Sequence, residues 1–120
     1  MITLLCNIEF LYDKNRIICI TVDLSATPER ATSALDCLLE GKLNGILLQG
    51  ENREHSVILR DGNNVLCKGD PIEMHLFRSD CETVRNMLLD VFAGNGFSGY
   101  HYDMSLDSNG CETDVCFVLC

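Results

Sequence analysis

The apolar residues of this chain change their period twice, and no other feature limits its possible folds as much. Over residues 2–12 they alternate: Ile2, Leu4, Cys6, Ile8 and Phe10 share one parity. The alternation resumes over 16–24 with Ile18, Ile20, Val22 and Leu24, after Asp13-Lys14-Asn15, which reads as a hairpin turn. The spacing then lengthens to that of a helix, with Ala31, Ala34, Leu35, Leu38 and Leu39 on one stripe. Thr27-Pro28-Glu29 supplies a cap, a proline at the first helical position and an early acid, and Gly41 supplies the stop. Short extended segments follow at 45–49, 56–60, 64–68 and 72–78, with Asp61-Gly62 a hairpin turn signal. Ser79-Asp80-Cys81-Glu82 resembles a capping box. It opens a second helical stripe of Val84, Met87, Leu88, Val91 and Phe92, which Gly94 ends. Two last strands, about 100–107 and 113–119, flank Ser108-Asn109-Gly110.

This order predicts an α+β fold: a mostly antiparallel sheet with two amphipathic helices, about 28–40 and 81–93, packed on one face. A loose strand-strand-helix repetition is visible, without residue-by-residue identity between the halves. At 120 residues, with no linker or low-complexity tract, the chain is expected to form one domain, 1–120.

Cysteine usage points to a compartment. There are eight: Cys6, Cys19, Cys37, Cys67, Cys81, Cys111, Cys116 and Cys120. The stretch from Met1 to Tyr12 has no basic start and carries Asn7 and Glu9 within its apolar run, so it reads as a strand rather than a signal peptide. Reduced thiols in the cytoplasm are therefore expected, several of them serving as small core residues. The tightest cluster, Cys111-x4-Cys116-x3-Cys120, lacks a Cys-x2-Cys knuckle and a paired histidine. In an extended chain Cys116 and Cys120 stand roughly 13 Å apart, too far to share one ion. No metal and no cofactor are expected.

The motifs of catalysis are equally thin. Gly94-Asn95-Gly96-Phe97-Ser98-Gly99 spells the dinucleotide fingerprint, but that mechanism needs a strand before the loop and a helix after it. Here the order is reversed, and the loop reads as a helix stop. His55, His75 and His101 are available as bases, yet no nucleophile elbow accompanies them. There is neither an HExxH zinc motif nor a calcium loop. An enzyme is not the expectation.

Charge is what remains. The chain carries 18 Asp and Glu against 9 Lys and Arg, a formal net of −9, which disfavours direct binding of nucleic acid or of anionic membranes. No apolar run reaches the roughly 20 residues of a membrane span. The distribution is uneven: after Arg85 no Lys or Arg occurs, while Asp90, Asp103, Asp107, Glu112 and Asp114 do. Strand parity puts His101, Asp103, Ser105 and Asp107 on one face, and Tyr100, Tyr102, Met104 and Leu106 on the other. Glu112 and Asp114 on the partner strand extend the first face. The expected function is that of an inhibitor or immunity-type protein, neutralising a basic toxin or nuclease through this acidic C-terminal hairpin. Asp103, Asp107, Glu112 and Asp114 are its expected anchors, with His101 a hydrogen-bond donor and Phe97 an apolar contact. A self-associating accessory subunit of a cytosolic complex is the alternative, dimerising through the apolar edge at 115–119. A small-molecule enzyme without a recognisable motif is the second alternative.

Overall fold

A computed structural model describes residues 1–52 and 54–120. In chain order the elements are β1 (Ile2–Leu5), β2 (Asn7–Asp13), β3 (Arg16–Asp23), α1 (Pro28–Leu39), β4 (Ile46–Gln49) and β5 (Ser56–Asp61). They continue with β6 (Val65–Cys67), β7 (Ile72–Leu76), α2 (Arg78–Phe92), β8 (His101–Ser108) and β9 (Cys111–Val118).

Both helices end as their glycines dictate. Gly41 donates to the Leu38 carbonyl and Lys42 to that of Cys37; Gly94 donates to Val91 and Asn95 to Asp90. With Gly41 at φ 75° and Gly94 at φ 82°, each is a Schellman stop. The start of α2 differs from the sequence expectation. The helix begins at Arg78 rather than near 81, Phe77 occupies the cap position, and no side-chain cap forms. The Asn64 side chain takes over instead, accepting the Phe77 N–H at 2.7 Å.

The nine strands form one mixed sheet in the order β1-β4-β5-β7-β6-β8-β9-β3-β2. Four antiparallel pairs (β2–β3, β4–β5, β6–β7, β8–β9) alternate with four parallel ones (β1–β4, β5–β7, β6–β8, β3–β9). The antiparallel pairs hold most of the paired residues. The two ends of the order, β1 and β2, are consecutive in the chain and separated only by Cys6, whose N–H reaches the Gln49 carbonyl at 3.0 Å. A single bent strand thus pairs with β4 through its first half and with β3 through its second, and the sheet closes on itself.

The closed sheet has an approximate two-fold repeat. A hairpin, a helix and a second hairpin (β2, β3, α1, β4, β5) are followed by the same succession (β6, β7, α2, β8, β9). The second hairpin of each half lies parallel to the second strand of the other, as β5–β7 and β9–β3. Both helices pack on the inner face. Ala31, Leu35, Cys81 and Val84 meet Leu4, Leu48, Leu59, Leu76 and Phe117 there, all buried. An ion pair between Arg85 and Asp36 at 2.8 Å joins the helices. Burial at this density is what holds the fold, at about 25 cal/mol for each Å² of apolar surface withdrawn from water.

Two expectations are corrected by this topology. Asp61-Gly62 does not close a hairpin: β7 lies between β5 and β6, and Gly62 crosses its end, donating to the Leu76 carbonyl at 2.7 Å. A Cβ at Gly62 would come within 2.7 Å of the His75 Cβ, so only glycine permits that close crossing. Likewise β9 is no bare edge, since β8 and β3 flank it on its two sides. The apolar run at 115–119 is interior, so the edge-strand route to a homodimer through it does not exist.

Candidate functional site

The hairpin β8–β9 is built by its turn. Asn109 and Gly110 both adopt positive φ, 51° and 84°, the geometry of a two-residue reversal. That turn fixes the register: Asp103 faces Cys116, Ser105 faces Asp114, and Asp107 faces Glu112. The alternation then sorts the side chains. Leu106, Thr113, Val115 and Phe117 are buried inside, while His101, Asp103, Ser105, Asp107, Glu112 and Asp114 are exposed on the outer face. The anchors expected from the sequence therefore stand together.

Register with β3 and β2 adds acids that the reading of the hairpin alone missed. Asp23 lies beside Val118 on β3 and opposite Asn7 on β2, and Glu9 sits opposite Thr21, which in turn neighbours Cys116. Their parity was readable in the sequence; the parallel pairing of β3 with β9, 90 and more residues apart, was not. Asp23 accepts from the Ser25 backbone N–H at 2.9 Å. Among the described residues, one Arg or Lys side chain bonds into the hairpin: Arg16 donates to the Glu112 backbone carbonyl and leaves that carboxylate free.

His101 is committed within the chain. Its Nδ1 lies 2.7 Å from the Gly99 carbonyl and its Nε2 lies 3.2 Å from the Asp103 carboxylate. Both partners accept, so both ring nitrogens are best served as donors. The Gly99 carbonyl, followed by Asp103, holds the imidazole pKa above its ordinary value. Phe97 stands apart. It is 62% exposed but rests edge-on against Tyr100, centroids 5.0 Å apart, and Tyr100 follows the inward parity. Phe97 therefore lies over the end of the strand and outside the acidic face.

The corresponding outer surface across the ring, where β5 meets β7, is compensated within the chain. On β5–β7 the Glu73 carboxylate meets the Arg60 guanidinium at 2.6 Å and His75 at 3.1 Å. Arg60, with His75 a smaller contributor, holds Glu73 below the usual carboxylate range. The β5–β7 surface is thus neutralised internally and the β8–β9–β3 surface is not.

The cysteines are all free thiols among the described residues. Burial pushes Cys81 up to about 12 and Cys6 up to about 11. Burial, reinforced by the Asp103 carboxylate, takes Cys116 up to about 11. Such thiols are protonated at neutral pH and poor nucleophiles. The glycine-rich loop 94–99 follows α2, as its sequence order implied, so it meets the negative end of that helix. Among the described residues no helix is long and apolar enough to cross a membrane. Comparison of the chain with protein-family models, with curated proteins and with solved structures finds no match.

Proposed function

We propose that this chain is an inhibitor of the immunity type: a small cytoplasmic binding protein that neutralises a basic toxin or nuclease by covering its cationic surface. The carrying observation is the convergence of Asp103, Asp107, Glu112 and Asp114 on one outer face, continued by Asp23 and Glu9, where among the described residues Arg16 is the single bonded Arg or Lys and His101 pairs with Asp103. Like charges held this close repel one another, and a cationic partner relieves that repulsion as it binds. The same field steers encounter and makes association sensitive to salt.

The test immobilises the chain beside its Asp103→Asn/Asp107→Asn/Asp114→Asn variant and passes extract of the native cell over both at low and high salt. The reading expects a basic protein retained at low salt, released at high salt and missed by the variant. The nuclease or toxic activity of that protein should fall when the free chain is added. Retention indifferent to salt and to the three substitutions, or no basic protein at all, defeats it.

A further inference from the structure

The two-fold repeat leaves one strand position unfilled. In the first half β1 lies parallel to β4 over four residue pairs, from Ile2 with Ile46 to Leu5 with Gln49. In the second half the equivalent neighbours are β6 and β8, and they pair at one position, Val65 with Asp107. The reason lies in the chain before β6. Where β1 runs straight into β2, the segment before Val65 is the crossing loop at Gly62, so no strand precedes β6 to lie along β8.

The backbone of β8 is therefore open on that side. The Asp107 N–H reaches the Asn64 carbonyl at 2.9 Å, which shows that odd-numbered residues of β8 turn their backbone groups away from β9. His101, Asp103 and Ser105 follow the same alternation, and their side chains are exposed. Among the described residues nothing pairs with their main-chain groups on this edge. Unpaired edges of this kind template the addition of an extended segment.

The floor of the position also has a counterpart. In the first half β1 lies over the first turns of α1, where Ile2 and Leu4 share a depression with Glu29, Arg30 and Ser33. With Pro28 and Arg78 as first helical residues, Arg30 and Ser33 correspond to Asp80 and Thr83. The Tyr102 hydroxyl donates to Asp80 at 2.6 Å, and Asn64 donates to the other Asp80 oxygen at 3.2 Å. An arginine in the filled position is thus replaced by an aspartate in the open one. Arg78, the nearest base on α2 by sequence, is engaged by Glu82 at 3.3 Å.

We infer that the open edge of β8 at His101, Asp103 and Ser105 receives an extended basic segment of the partner, running parallel to β8 as β1 runs parallel to β4. The inference rests on the acidic-face reading above and specifies how the partner is held. Main-chain hydrogen bonds to β8 supply attachment. Alternate cationic side chains meet Asp103 and Asp107 outside, and the intervening apolar ones lie beside Tyr102 and Met104 within, as Ile2 and Leu4 do in the first half.

The probe is a synthetic peptide of about ten residues, the length of a long strand, alternating lysine and valine. Two twins carry backbone N-methyl groups, one on its lysines and one on its valines, with charge unchanged. Titration calorimetry should detect binding of the parent and a loss of about tenfold or more for one twin, the cost of forfeited main-chain hydrogen bonds. Ser105→Pro, which removes an edge N–H without touching the β9 ladder, should weaken the parent peptide similarly. In the free chain the Asp103 and Ser105 amides should exchange quickly with deuterium and become protected by the parent peptide. If both twins bind like the parent in a salt-dependent way, the edge mode is wrong and the acidic face stands. If no peptide binds, both fall. Protection of Asp103 and Ser105 already present in the free chain and lost on dilution would mean that a second copy occupies the edge, and would overturn the inference. The methylated twins decide the question even if Ser105→Pro does not fold.

Discussion

Asp107 and Glu112 face each other directly across the β8–β9 ladder, two exposed carboxylates at one register position. Asp107 also accepts from the Gly110 N–H at 3.2 Å and so supports the turn, whereas the Glu112 carboxylate has no described partner. Opposed like charges in a sheet cost about 0.2–1 kcal/mol. Glu112→Gln should therefore stabilise the chain by about that amount in urea melts at low salt. The gain should shrink at high salt, where the repulsion is screened. The same substitution should weaken a basic partner, so that stability and binding move in opposite directions.

The His101 imidazole offers a pH readout. Its pKa is raised in the fold, first by the Gly99 carbonyl and then by Asp103. Its stabilising contribution is complete below the unfolded value of about 6.5 and disappears as pH rises through the higher folded value. Proton NMR of the ring should give a midpoint above that of an unfolded control. Asp103→Asn should lower it only in part, because Gly99 remains. Binding of a basic partner should strengthen as pH rises through the midpoint, since the acidic face then loses its one titrating cation.

Thiol accessibility should follow burial. Cys67, Cys111 and Cys120 are exposed, while Cys81 is 0% exposed with its pKa pushed up to about 12. Alkylation of the native chain, read by mass spectrometry, should modify the first three quickly and Cys81 only on unfolding. Cys81→Ser, which places a hydroxyl among Leu76, Val84 and Phe117, should cost about 1–3 kcal/mol of stability.

Asn64 ties three elements together. Its side chain accepts from Phe77 and donates to Asp80, its carbonyl accepts from Asp107, and its φ is 57°. Asn64→Gly keeps the backbone conformation and removes the side chain, so it should cost about 1–2 kcal/mol, the loss of the α2 cap. Asn64→Ala should cost about 1 kcal/mol more, because alanine resists the left-handed region. Equal losses for the two variants in denaturant melts would contradict this division.

Local signals were legible in the sequence where their cause is local. Gly41 and Gly94 stop the helices through their own backbone freedom, and the positive-φ pairs Lys14-Asn15 and Asn109-Gly110 turn their hairpins, with asparagine and glycine the residues that tolerate that region best. Asp61-Gly62 misled because a turn signal reports a reversal and does not name the strand that comes to lie beside it. Burial of β7 between β5 and β6 made that choice. The anchors of the acidic face were readable from parity within one hairpin. Glu9 and Asp23 were not, since they join it through the parallel pairing of β3 with β9. Closure of the sheet at Cys6 was equally hidden: the alternation of residues 2–10 continues unbroken through the bend, and only the change of partner from β4 to β3 reveals it.

The reciprocal pairing of the halves also bears on synthesis. When β5 leaves the ribosome, the first hairpin, the first helix and the second hairpin are all available, yet one edge of β3 awaits β9 and one edge of β5 awaits β7. Neither half can complete its sheet alone. The ring locks only when β9 arrives, so the nascent chain must travel with two apolar strands unpaired along one edge, Ile17–Val22 and Val57–Leu59, and depends on β9 being made before a neighbour finds them.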